Sequence, residues 1–513
     1  MRLHCNGPLS TGRIFELSAG LLILLIGSIF FGSFFSHLFP LIEYRQWISS
    51  APAEWTWPPL REMILPCTIF SRKFSIWVVQ TGWICTQHNI EAANWLQLAM
   101  LLLTAVGLYY FLRRQFPAPY AFLPALGCAG CYLFSVPLVD AAAWQATNHD
   151  KLAALLSILG LHLYLTLSRM PINRRSVILG NGGGFCIALL AYNSKESAWC
   201  LVPAECALIL AGRIADGTFK DLKHLRPWKE TLTLTSLPLL YSVWHVTIRL
   251  LLRLREPNQL ETTHIFGGDL PANLYHFLLG FVNLPQVPNT WQAFLAASLI
   301  LVGITAGLVY SLIRGHTSLL VPMIGFAAAV IIPARTYYAS LFYLLVPGLF
   351  FWWLLCAAIV ELCQRMTANR NLVSGLIAVA MLVLQIVNLV SPRAGWDTAY
   401  VWLVKASAGF RASLPQIARI QPIDNSGLIR FAYPEEMFFA YRILGDQQNR
   451  SIAPFLFPSF ADRKRLAAYD ARISNFRYSA DFPVTATPGA VTFVFDRQLQ
   501  IREAFGGNAA RTR

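Results

Sequence analysis

The chain has 513 residues, of which 56% are hydrophobic and only 13% charged, with a formal net charge of +15 and a mean hydropathy of +0.49. A soluble domain carries about 25% charged residues, so this composition excludes a protein that hides its apolar surface in a water-soluble core and calls for a bilayer. The positive charge does not point to nucleic acid. The basic residues are spread through loops between apolar stretches, with no basic run interleaved with stacking aromatics, and the positive-inside rule accounts for them.

In chain order, the apolar stretches predict an all-α polytopic membrane protein of about eleven transmembrane helices. The spans fall near 14–37, 95–112, 120–138, 152–168, 176–192, 198–212, 231–248, 291–313, 319–333, 339–361 and 372–391. About 20 apolar residues cross the hydrocarbon, and only helices satisfy the backbone there. The first stretch reads as a retained span rather than a signal peptide, because its apolar run is too long and lacks a small-residue cleavage site. Short loops on one side hold Arg13, Arg113, Arg114, Arg169, Arg174, Arg175 and Arg213, which places the N-terminus in the cytoplasm and the C-terminal tail outside.

Residues 1–392 are therefore expected to form the membrane domain. Its first outside loop, 38–94, carries Trp47, Trp55, Trp57, Trp77 and Trp83 between prolines and charges, and 62–85 reads as interfacial helices. A second long outside loop covers 253–290, with Asn273–Leu284 lying on the membrane. Beyond Pro392 charges reappear, and 393–513 reads as a small extracytoplasmic α/β tail. It has an amphipathic helix at 398–419 and strands at Gly427–Ala432 and Ala490–Phe495, the second opening a hairpin at Asp496–Arg497. No repeat near 34 residues is present. Cys128 and Cys131 have metal-like spacing, but both fall inside a span, where packing explains them. Cys67 and Cys85 share the first outside loop, where oxidation is open to them.

Ionisable groups at a membrane face are costly unless they serve a purpose. Four places stand out, all outside by this topology: Glu43 just past the first span; Asp140 with His149 and Asp150 between spans three and four; Lys195 and Glu196 in a tight turn between spans five and six; and Arg335 with Tyr338 at the end of span nine. The carboxylates suit a general base or a divalent metal, and Lys195 and Arg335 suit a phosphate. Each also has a plainer reading. Glu43 fits a solvated interfacial acid, Asp140 and Asp150 fit helix caps, Lys195 and Glu196 fit a local ion pair, and Arg335 fits a snorkelling cation.

The order of these segments resembles the GT-C fold membrane glycosyltransferases, in particular the protein O-mannosyltransferase-like group, over roughly residues 14–345. Pro59-Leu60 with His88–Asn94 resembles the family's exit from its first loop. Phe134–Trp144 with Asn148–Ala154 resembles its segment between spans three and four. The turn Asn193-Ser194-Lys195-Glu196-Ser197 resembles its Ser-Lys-Glu turn, and Arg335–Tyr338 with Pro347-Gly348 resembles its Arg-Tyr-Leu-Tyr segment. The resemblance implies an enzyme that transfers a sugar from a polyprenyl-phosphate donor to an acceptor on the outer face, usually with inversion. An acid after span one, best matched by Glu43, would be the base. Basic residues would neutralise the leaving lipid phosphate, and some members use a divalent metal such as Mg or Mn. Two positions depart from the family: Glu43 stands without a second acid beside it, and Pro58 replaces the arginine of the family's Arg-Pro-Leu. The expected setting is a bacterial-type inner membrane. The competing expectation is a non-enzymatic membrane protein: a transporter, a flippase or a catalytically silent relative.

Overall fold

The computed structural model describes residues 11–36, 52, 54–65, 72–87, 89–143, 147–214, 224–255, 270–284, 291–314, 317–334, 341–366 and 369–390, together with strands at 428–432, 490–495 and 501–505. Glu43, Arg335, Tyr338, Cys67 and the predicted helix at 398–419 lie outside the described residues.

The described part is mostly helical, and a helix stands at each predicted span. In order these are α1 (Thr11–Phe35), α2 (Leu60–Ile64), α3 (Lys73–Cys85), α4 (Ile90–Gln115), α5 (Phe122–Leu133), α6 (Val136–Ala143) and α7 (Asn148–Arg169). They are followed by α8 (Arg174–Tyr192), α9 (Leu201–Arg213), α10 (Leu225–Arg255), α11 (Leu270–Phe281), α12 (Trp291–Arg314), α13 (Thr317–Ala334), α14 (Leu345–Gln364) and α15 (Arg370–Val390). By length and apolarity, 6 of the described helices can cross a membrane, or up to 7 if α5 and α6, bent by 43° at their junction, form one broken span. Many large apolar side chains on α1, α12 and α15 face outward, as lipid-facing helices require.

Local chemistry sets the ends of these helices. Asn173 opens α8 with a capping box: its Oδ1 accepts from Ser176 N at 2.9 Å, and Ser176 Oγ accepts from Asn173 N at 2.9 Å. At the end of α7, Arg213 Nη2 donates to the carbonyls of Leu167 and Met170 at 3.0 and 2.7 Å, satisfying acceptors that a helix end leaves open. Asp150 lies in the first turn of α7, three residues past the cap position Thr147, so it faces the helix dipole rather than capping it.

The chain divides into two compact units, one of Met1–Ser36, Thr56–Val79 and Trp95–Asp397, the other of His37–Trp55, Gln80–Asn94 and Thr398–Arg513. In the first, α7 packs against α8 and α9, and α10 packs against both of those. Helix α10 shows why: Leu234, Pro238, Tyr241, Ser242, His245 and Arg249 recur at helical spacing and are all buried. Helix α11, predicted to lie on the membrane, has Phe277, Leu279 and Phe281 buried. In the second unit, β1 (Leu428–Ala432), β2 (Ala490–Phe495) and β3 (Ile501–Phe505) form a sheet in that order. β1 pairs parallel with β2, with Leu428 opposite Ala490, and β2 pairs antiparallel with β3.

Candidate functional site

The polar turn between α8 and α9 is the centre of a buried charged group. α8 ends at Tyr192, and Asn193 holds the exit. Its Nδ2 donates to Leu189 O at 2.8 Å, to Met63 O at 3.0 Å and to Tyr241 Oη at 3.0 Å. The chain then passes through Lys195 in extended conformation into a short 3-10 turn, Glu196–Cys200. This geometry directs two adjacent side chains of opposite charge inward, and both are buried.

Each oxygen of Glu196 meets a guanidinium. Arg72 Nη2 donates to Oε2 at 3.2 Å, and Arg249 Nη1 donates to Oε1 at 3.2 Å. Arg249 comes from the buried stripe of α10 and is only 1% exposed. Arg72, just ahead of α3, is half-buried and also lies 3.2 Å from His149 Nε2. Lys195 Nζ lies 3.5 Å from Asp150 Oδ2 and 4.4 Å from the ring centre of Tyr343, a cation–π contact. His149 Nε2 is 3.0 Å from Asp150 Oδ2. The adjacent Lys151 turns instead to Gln97, donating to its Oε1 at 2.7 Å.

Burying ions costs several kcal/mol each unless they are paired. Among the described residues, three cations, Arg72, Lys195 and Arg249, converge on two carboxylates, Asp150 and Glu196. Burial alone would raise the Glu196 carboxyl. Arg72, Lys195 and Arg249 outweigh it and hold the group well below the usual carboxylate range. Burial works against the charge of Arg72, but Glu196 and Asp150 overcome it and push the guanidinium further up. For Lys195, burial and then Arg72 lower the ammonium, with Asp150 and Glu196 offsetting part of that. Arg249 is lowered in the same way, by burial first and by Arg72, with Glu196 offsetting part of that.

The structure brings together four of the residues singled out from the sequence: His149, Asp150, Lys195 and Glu196. Asp140 is half-buried on α6, apart from the contacts described for this group. The turn Leu341–Leu344 places Tyr343 beside Lys195. Sequence reading missed Arg72, Arg249 and Tyr343. Arg249 had a signal, since Tyr241, His245 and Arg249 recur every four residues. Arg72 had none, because it lies in an irregular stretch and reaches its partners across 77 and 124 residues.

Among the described residues no group of three or more His, Cys, Asp or Glu converges, and Arg72 and Lys195 fill the space beside His149 and Asp150 with positive charge. Among the free thiols, Cys85 is exposed, while Cys128 and Cys131 are buried within α5. No known protein family, no curated protein and no solved structure matches this chain.

Proposed function

We propose that this protein is a membrane glycosyltransferase that takes a sugar from a polyprenyl-phosphate donor and passes it, with inversion, to an acceptor on the outer face of a bacterial-type inner membrane. The reading includes the full set of about eleven spans, a cytoplasmic N-terminus and an extracytoplasmic tail. One observation carries it: Arg72, Lys195 and Arg249 converge with Asp150 and Glu196 at the helix ends beside the Lys195-Glu196 turn, with Lys195 and Arg249 buried. Such a group, already oriented and shielded from water, is suited to a phosphate leaving group, because its dipoles and charges need no reorganisation as negative charge develops. Lys195 would take the phosphate, with Arg72 and Arg249 fixed beside it by Glu196. His149 and Asp150 would face the sugar, Arg335 and Tyr338 would complete the phosphate side, and Glu43 would accept the proton of the acceptor hydroxyl.

The test is transfer itself. Purified protein, a polyprenyl-phosphate sugar and an acceptor extract should give a product one sugar heavier by mass. Glu43→Gln keeps the shape of the carboxylate but cannot take the proton, so it should cut the rate by about 10²–10⁴ while leaving donor binding intact. Normal turnover in that variant would remove Glu43 from the mechanism.

A second reading has its own support. α8 contains a π-helical segment, Leu179–Gly183, α10 contains Pro238, and α5–α6 is bent. Interrupted helices around a buried polar site are a mark of transporters and flippases. Movement of a lipid phosphate across vesicles without any change in its mass would favour that reading over transfer.

A further inference from the structure

The helices that carry the charged group also meet well away from it, and there the side-chain amide of Asn181 joins α8 to α10. Pro238 inside α10 has no N–H to give to Leu234 O, and its ring crowds that carbonyl. In a regular helix the preceding bond would run from Leu237 N to Thr233 O. Here both of its ends are engaged by Asn181 of α8: Leu237 N donates to Asn181 Oδ1 at 2.9 Å, and Asn181 Nδ2 donates to Thr233 O at 2.8 Å. Ser236 Oγ adds a third bond to Oδ1 at 2.9 Å, and Nδ2 also reaches Val177 O at 3.1 Å.

α8 is itself interrupted at this point, since Asn181 sits in the π-helical segment Leu179–Gly183. Gly180 beside it approaches α10 so closely that a methyl group there would collide with the Leu234 carbonyl. Gly180 O is in turn taken by Tyr164 Oη of α7 at 2.7 Å. Three helices are therefore pinned together. Asn181 precedes Lys195, Tyr164 follows Asp150 and Leu237 precedes Arg249 by similar numbers of residues, so each pin lies roughly 20 Å from the charge its helix carries.

We propose that Asn181 is a positioning residue: its side-chain amide binds α10 at the turn before Pro238 and, with Tyr164, sets the register in which Asp150, Lys195–Glu196 and Arg249 meet. The consequence for ligand binding rests on the phosphate-binding reading above; the coupling between helices does not.

Asn181→Ala, Pro238→Ala and the double variant, each in lipid nanodiscs, test this through amide hydrogen exchange and equilibrium binding of a polyprenyl phosphate. Asn181→Ala should speed exchange over 233–249 and also over 193–200, the turn that carries Lys195 and Glu196. It should weaken polyprenyl-phosphate binding about tenfold, the scale of one polar pairing lost. In the double variant, alanine at 238 returns a backbone N–H and lets α10 close without the amide, so exchange and affinity should both recover most of the way. If Asn181→Ala does not fold, Tyr164→Phe removes one pin and should shift 193–200 and the affinity in the same direction by less. Faster exchange confined to 233–249, with 193–200 and affinity unchanged, would make Asn181 a local staple and overturn the proposal. Failure of the unmutated protein to bind the lipid phosphate would overturn the functional reading, while exchange over 193–200 would still decide the role of Asn181.

Discussion

Glu196 holds a guanidinium on each oxygen, and that bridge gives a sharp prediction. Glu196→Gln leaves Arg72 and Arg249 facing each other with no carboxylate between them. Removing one partner from buried ions costs about 3–5 kcal/mol, so thermal stability in detergent should fall clearly, whereas Glu62→Gln, on the exposed Lys73–Glu62 pair, should change it little. The pH dependence has a definite sign. The folded carboxyl of Glu196 is held below its unfolded value, so its contribution is complete above the unfolded range near pH ~4.3 and is lost as pH falls through the lower folded value. Unmutated protein should lose stability steeply in acid, and Glu196→Gln should lack that part of the slope. A parallel acid curve for the two would mean that the bridge adds nothing. At this scale the sequence was informative where charges are adjacent in an apolar setting, as in Lys195-Glu196 and His149-Asp150. It was silent on Arg72, whose partners are fixed only by tertiary packing.

Among the elements, asparagine side chains twice bond backbone groups of another helix beside an irregularity. At the bend between α5 and α6, Asn283 adopts a positive φ of 58°. Its Oδ1 accepts from Val136 N at 2.7 Å, and its Nδ2 donates to Phe134 O and Gln385 O, both at 2.8 Å. Asparagine tolerates that backbone better than most residues, and its amide satisfies groups that the bend strips of partners. Asn283→Ala should therefore destabilise the protein by more than about 2 kcal/mol, read as an earlier midpoint by fluorescence-detected size exclusion after heating. A shift no larger than that of an exposed substitution such as Val243→Ala would contradict this role. The existence of α5 and α8 was legible as apolar runs of spanning length. Their interruptions were only partly so. Glycine and proline weaken helices in general, and α8 contains Gly182-Gly183-Gly184 and α10 contains Pro238, but nothing local in sequence links Asn181 to Leu237 or Asn283 to Val136. Those pairings arise when separate helices pack, and they draw on no periodic pattern.

For the whole molecule, apolar length and basic loops predict the same arrangement from independent physics. A cytoplasm-only reporter fused after Gly395 should be inactive and a periplasm-only reporter active, with 38–94 accessible from the same side as the tail. The reverse pattern would invert the topology and place the charged group on the cytoplasmic face. Composition made the membrane class plain, because so low a share of charge has no soluble solution. The tail was less legible: its strands alternate, as β1 and β2 show, but their mixed parallel and antiparallel pairing depends on a crossover that alternation does not encode. The central claim is that the cluster of cations around Lys195 receives a lipid phosphate. The direct measurement is equilibrium binding of a polyprenyl phosphate and of the matching polyprenyl alcohol to the purified protein and to Lys195→Met. The phosphate should bind the unmutated protein at least about tenfold more tightly than the alcohol, as charge-assisted contacts to a phosphate allow, and Lys195→Met should erase most of that difference without weakening the alcohol. Equal affinity for phosphate and alcohol in the unmutated protein would contradict the account.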